Sequence, residues 1–170
     1  GGVFEPSDTI LFDGGPLPTG NGLAVGDINQ DGRPDLVLVR SKGDSDRVYM
    51  NAGGGHFVST AIVDSSDESQ HANLFDADGD GDLDLFVSRH LDIYDTGIDS
   101  MDEAVIRGNV NGFYFNNEGI FSPGPPIGTM DAATFQSLPI DVDVDSDLDL
   151  YLVNDFGPFI EPNELLINDG

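Results

Sequence analysis

The chain has 170 residues, with 32 acids against 6 lysines and arginines, a formal net charge of −26 and no cysteine. That charge disfavours nucleic acid and anionic membrane surfaces as partners, and the lack of cysteine excludes a disulfide framework and thiolate metal sites. No apolar stretch is long enough to span a membrane, so membrane insertion is not expected.

In chain order, residues 3–11 read as one strand standing alone. Three similar units then follow. Each opens on a short strand and runs into an oxygen-rich loop: Asp27-Ile-Asn29-Gln-Asp31-Gly32-Arg33-Pro-Asp35, Asp76-Ala-Asp78-Gly-Asp80-Gly81-Asp82-Leu-Asp84 and Asp141-Val-Asp143-Val-Asp145-Ser146-Asp147-Leu-Asp149. Oxygen side chains stand at loop positions 1, 3, 5 and 9. The three loops hold 13 of the acids. Two carboxylates about 5 Å apart repel by roughly 3 kcal/mol at an effective dielectric of 20. A loop that gathers several of them calls for a hard cation, and ligation by oxygen alone points to calcium.

The spacing narrows the type of loop. An EF-hand needs a bidentate Glu at position 12 and a following helix, but position 12 is Leu38, Val87 and Leu152, each inside an apolar strand. The glycine-rich nonapeptide repeat of calcium β-helices does not fit either. What remains is a loop between adjacent strands, closed by an Asp at the start of the second. Such sites fill where calcium is near millimolar, so an extracellular setting is expected. Three ions would still leave a charge of about −20.

A second phrase follows each loop: Arg47-Val-Tyr-Met-Asn51-Ala-Gly-Gly-Gly-His-Phe57, Gly112-Phe-Tyr-Phe-Asn116-Asn-Glu-Gly-Ile-Phe121 and Glu164-Leu-Leu-Ile-Asn168-Asp-Gly170. Each is a strand and an Asn-Gly turn, and in the first two an aromatic residue opens another strand. Four strands per unit predict an all-β chain of about three antiparallel β-propeller blades. The first blade spans 20–63. The second spans 70–130 with an insertion at 90–111, and the third spans 132–170 without its fourth strand. Residues 1–17 would supply strand 4 of a preceding or closing blade. Since propellers usually hold four to eight blades, a piece of a larger ring or self-association is expected.

Together the two phrases resemble the FG-GAP/VCBS repeats of integrin α-subunit propellers and of secreted bacterial proteins, over nearly the whole chain. The resemblance implies calcium ligation by side chains at positions 1, 3, 5 and 9 and by the carbonyl at 7. The implied ligands are Asp27, Asn29, Asp31, the Arg33 carbonyl and Asp35; Asp76, Asp78, Asp80, the Asp82 carbonyl and Asp84; Asp141, Asp143, Asp145, the Asp147 carbonyl and Asp149. The side chains of Asp82 and Asp147 are expected to point outward. Ser146 departs from the pattern, which has Gly at position 6, and a positive φ there would strain it.

The loops between strands 2 and 3 should lie on the face opposite the calcium loops. Arg40, Lys42, Arg47, Arg89 and Arg107 fall in or beside them, with His90, and suggest a surface for a glycan or protein ligand. The expected role is therefore a binding, adhesion or scaffold module. A part in a secreted polysaccharide-degrading lyase or hydrolase is the alternative. No catalytic constellation is evident: His56, His71 and His90 have no metal spacing, there is no nucleophile elbow, and Gly53-Gly-Gly55 lacks the helix a phosphate loop requires.

Overall fold

The computed structural model describes residues 10–13, 19–40, 45–62, 68–90, 108–130, 132–155 and 161–170. Among them there is no helix. The first sheet is a meander of β2 (Gly22–Gly26), β3 (Asp35–Val39), β4 (Arg47–Gly53) and β5 (His56–Ala61). The second is built the same way from β6 (Ser69–Phe75), β7 (Asp84–Arg89), β8 (Gly112–Asn117) and β9 (Ile120–Pro123). The third holds β10 (Thr134–Ile140), β11 (Asp149–Asn154) and β12 (Glu164–Leu166). All of these pairings are antiparallel. The expected all-β blades are present. The strand expected over 1–17 lies largely outside the described residues. Its described part, β1 (Leu11–Phe12), runs parallel to β5 on the outer edge of the first sheet.

Local chemistry explains the meander. The β4–β5 turn places Gly53, Gly54 and Gly55 at positive φ, which glycine adopts without a Cβ penalty. Asn51 Oδ1 accepts from the Gly53 amide at 3.0 Å and fixes the entry to that turn. The β8–β9 turn repeats the device, with Asn116 Oδ1 accepting from Gly119 N at 2.9 Å.

The blades stack face to face because their second strands are apolar on both sides. All six residues of β7 are buried. Leu85 and Val87 join Ala24, Val37, Val39 and Val48 of the first blade in one cluster. Phe86 points the other way and meets Leu150 and Leu152 of the third blade. Burying one such side chain contributes about 1.5–3 kcal/mol, so these two clusters are the main attraction between blades. The innermost strands lie in sequence, β2 against β6 and β6 against β10. On the outer side of the first blade, Phe12 stacks on Phe57 and meets Tyr49 edge-on. On the outer side of the third, Leu138, Tyr151 and Leu165 are cross-strand neighbours and exposed.

Polar staples add register to this packing. Asn116 Nδ2 reaches back to the Ile28 carbonyl of the preceding blade at 2.9 Å, in a buried bond. Asn168 Nδ2 does the same to the Ala77 carbonyl at 2.9 Å. In the first blade, Asn51 Nδ2 turns to Pro34 O of its own loop. Replacing Asn116 by Ala should therefore lower the unfolding free energy by about 2 kcal/mol, measured by urea denaturation, because it strands a buried carbonyl. The equivalent change at Asn51, whose bond is exposed, should cost less than half as much.

Candidate metal centre

The position-1 aspartates shape the loops before any ion is considered. Asp27 accepts from the amides of Asp31 and Gly32 at 3.0 and 2.8 Å. Asp76 accepts from Gly79 and Gly81 at 2.8 and 3.0 Å. Asp141 accepts from Val144 and Ser146 at 2.7 and 3.3 Å. Position 5 contributes a bond two residues onward: Asp31 to Arg33 N, Asp80 to Asp82 N and Asp145 to Asp147 N. These bonds curl each loop so that its carboxylates face inward.

Curling requires positive φ at two places. Position 6 has φ of 83° at Gly32, 93° at Gly81 and 87° at Ser146. The expected strain at Ser146 is therefore present. Position 4 has φ of 55° at Gln30, 74° at Gly79 and 67° at Val144, where a β-branched side chain suffers most.

The position-9 aspartates are a different kind of group. Asp35, Asp84 and Asp149 are buried, at 0%, 1% and 0% exposure. Each carboxylate holds two backbone amides. Oδ2 accepts from position 2 of its loop: Ile28 at 3.0 Å, Ala77 at 3.0 Å and Val142 at 2.8 Å. Oδ1 accepts from the backbone amide of the second-phrase Asn, at or just beyond the close of strand 3: Asn51 at 2.7 Å, Asn116 at 2.9 Å and Asn168 at 2.9 Å. One carboxylate thus joins the loop, strand 2 and strand 3. Burial pushes the Asp84 carboxyl above its ordinary value, the two amides hold it down in part, and Asp78 and Asp80 raise it further. A cation would relieve that last contribution.

Two loops bring carboxylates together. Oxygens of Asp76, Asp78 and Asp84 lie within 4.8 Å of one another, as do those of Asp141, Asp143 and Asp145. Asp80 and Asp149 stand outside these triads. The first loop differs. Its position 3 is Asn29, and Arg33 spans Asp31 Oδ2 at 2.5 Å and the Asn51 carbonyl at 2.6 Å. This loop supplies a cation of its own to one of its acids. Asp82 does not point away as expected: it accepts from Gln30 Nε2 of the first loop and from Glu118 N at 3.0 Å.

With that geometry in view, residues 27–87, from the first aspartate of loop one into the second blade's second strand, match the family model of the FG-GAP-like repeat. This stretch is an FG-GAP-like repeat. No curated protein matches the chain. The matched span contains the first loop with β3, β4 and β5, then β6, the second loop and most of β7, and the third blade reproduces the hydrogen bonds of the position-9 aspartates.

The opposite ends of the blades carry a second staple that sequence reading missed. Asp46, Asn111 and Asn163 each stand just before strand 3 and accept, through Oδ1, the amide that ends strand 2: Arg40, Arg89 and Asn154, at 2.8, 2.9 and 3.0 Å. Their other side-chain atom meets the hydroxyl opening the next blade, Ser69 for Asp46 and Thr134 for Asn111, both at 2.9 Å. In the third blade Asn163 Nδ2 turns to Tyr151 OH. The signal was available: each of these residues lies five positions before the Asn of the second phrase.

That network places the basic residues proposed for ligand recognition. Arg89 is buried rather than projecting from a binding face, and its guanidinium donates to Tyr114 OH at 2.9 Å and Val110 O at 3.1 Å. Arg40 and Arg47 are half-buried. His90 sits 3.5 Å from Asp155 and edge-on to Phe135. Lys42 and Arg107 lie outside the described residues.

Burial raises the Asp46 carboxyl from 3.8 to about 6; its bonds from Arg40 N and Ser69 and the charges of Arg89 and Arg40 oppose the shift. The native state therefore holds this proton more tightly than the unfolded chain does. Its contribution is complete below about pH 4 and fades as pH rises through 6. Relative to Asp46→Asn, the native protein should lose up to about 3 kcal/mol between pH 4 and 7, measured by paired denaturant titrations. Separately, Ser146→Gly should raise the unfolding free energy by about 1 kcal/mol in calcium-free buffer, by removing the Cβ from a positive-φ site.

Proposed function

We propose that the chain is a calcium-stabilised repeat scaffold of an extracellular protein, with the ions held in the loops between strands 1 and 2 of each blade. The observation that carries this reading is the pair of inward-facing carboxylate triads, at Asp76, Asp78 and Asp84 and at Asp141, Asp143 and Asp145, in loops already curled by their own amide bonds. A bound ion supplies positive charge that offsets the repulsion between these oxygens. The residues that would hold it are Asp76, Asp78, Asp80, Asp84 and the Asp82 carbonyl in loop two, and Asp141, Asp143, Asp145, Asp149 and the Asp147 carbonyl in loop three. Loop one would use Asp27, Asn29, Asp31, Asp35 and the Arg33 carbonyl. It should bind more weakly, because Arg33 already neutralises Asp31.

The scaffold reading also suits the opposite face. There Asp46 ties the first blade to Ser69 of the second, and the Arg89 guanidinium is turned inward onto Tyr114 and Val110 of its own blade. Recognition of a glycan or protein would then rest with the variable parts of those loops, and the scaffold would serve to present them.

The test is calorimetric titration of chelated protein with calcium, paired with thermal melts. With a dissociation constant of about 10⁻⁴ M, 1 mM calcium should add roughly 1.4 kcal/mol per site. Two sites should fill before the third. Asp78→Asn with Asp80→Asn, which keeps the one amide bond each side chain accepts through Oδ1, should remove one of the two stronger sites and leave the calcium-free melt intact or higher. Melts that do not respond to calcium would refute the reading.

A further inference from the structure

Loop one of the first blade is packed against the second blade through consecutive residues. The Ile28 carbonyl accepts from Asn116 Nδ2 at 2.9 Å. Asn29 lies against the β8–β9 turn, so closely that a Cβ on Gly119 would stand 3.2 Å from Asn29 Cβ. Gln30 reaches furthest: its exposed side chain donates through Nε2 to the Gly81 carbonyl at 3.1 Å and to Asp82 Oδ1. Asp82 Oδ2 in turn accepts from Glu118 N at 3.0 Å. Loop one, loop two and the β8–β9 turn are therefore joined through two side chains, Gln30 and Asp82.

Both ends of this bridge sit inside the implied ligand sets. Gln30 is position 4 of loop one, between Asn29 and Asp31. Gly81 and Asp82 are positions 6 and 7 of loop two, and the Asp82 carbonyl is the backbone ligand implied there. A residue flanked by ligands in loop one thus holds the peptide that loop two must orient. Loops two and three lack this bridge, because position 4 of loop two is Gly79, which has no side chain to reach out. Gln30 also takes φ of 55°, a conformation that glycine adopts without penalty. Glycine at position 30 would relieve the strain and lose the bridge.

We propose that Gln30 is a positioning residue that couples the first two loops, so that each binds calcium more tightly when the other is loaded. A loaded loop two fixes residues 81 and 82 and gives Gln30 a fixed partner. Asn29 and Asp31, on either side of it, then have less freedom to lose in closing loop one. The gain is equal in both directions, because coupling between two sites is reciprocal. It is read most easily at loop one, the weaker site, where Arg33 pairs with Asp31. The coupling rests on the calcium reading of these loops and adds to it a link that leaves loop three out.

The experiment titrates chelated protein with calcium and follows the amides of Gly32, Gly81 and Ser146, one in each loop, by NMR. Four proteins are compared: the native chain, Gln30→Ala, Asp78→Asn with Asp80→Asn, and all three changes together. The paired aspartate change cancels as much negative charge in loop two as a bound calcium does, so the long-range field at loop one is matched. Loop one should bind about fivefold more weakly in the aspartate variant than in the native chain. With Gln30→Ala in both, that difference should vanish. An equal loss with and without Gln30→Ala, no loss at all, or a loop one that stays empty while the others fill would overturn the coupling and leave the calcium reading standing. A loss of the same size at loop three would also overturn it, by making the effect general. Amides in all three loops that ignore calcium would refute the coupling and the reading together.

Discussion

One buried carboxylate per blade organises the rest of the structure. Asp35, Asp84 and Asp149 are almost fully out of water, yet each holds two backbone amides at 2.7–3.0 Å. A buried charge without partners is intolerable, and a carboxylate with two N–H donors meets that condition. The two donors come from different segments, the loop after strand 1 and the end of strand 3. A change at this position would therefore loosen three parts of a blade together. The same carboxylates lie at the rim of the loops, so the groups that assemble a blade also border the place where an ion would sit.

A second layer of order follows from the amides that the aspartates hold. The Asn whose backbone N–H meets the carboxylate sends its side chain to the preceding blade. At the other end of strand 3, Asp46 and Asn111 send theirs to the following one. Strand 3 is pinned at both ends, and its pins point in opposite directions along the stack. The hydrophobic clusters supply most of the attraction between blades, but they are tolerant of small slips. The polar pins are not tolerant, because a one-residue slip would strand buried donors. Packing brings the blades together and the asparagines set their register.

Much of this was legible in the chain. The aspartate spacing identified the loops, and the apolar runs after them identified the second strands, because both signals repeat three times with the same offsets. Ser146 was recognisable as a strained position from its neighbours' glycines, and it has φ of 87°. Two things were not legible. Arg89 closes the buried strand β7 at the edge of a long polar loop, and only the packing of β8 against β7 turns it inward onto Tyr114. The Asp46, Asn111 and Asn163 staple was written at a constant spacing but in residues that mix Asp and Asn. Its meaning depends on a hydroxyl in the next blade, which sequence offsets do not reveal. The pairing of β1 beside β5, parallel rather than antiparallel, likewise depends on where Phe12 finds aromatic neighbours.

The central claim is that the ninth-position aspartates hold each blade together through backbone amides, with or without an ion in the loop. Amide hydrogen exchange measured by NMR on calcium-free protein tests it most directly. The amides of Ile28, Ala77, Val142, Asn51, Asn116 and Asn168 should exchange as slowly as those in the middle of β7, although Ile28, Ala77, Val142 and Asn168 lie outside the strands. Exchange of those six at the rate of exposed loop amides, with β7 still protected, would contradict the account.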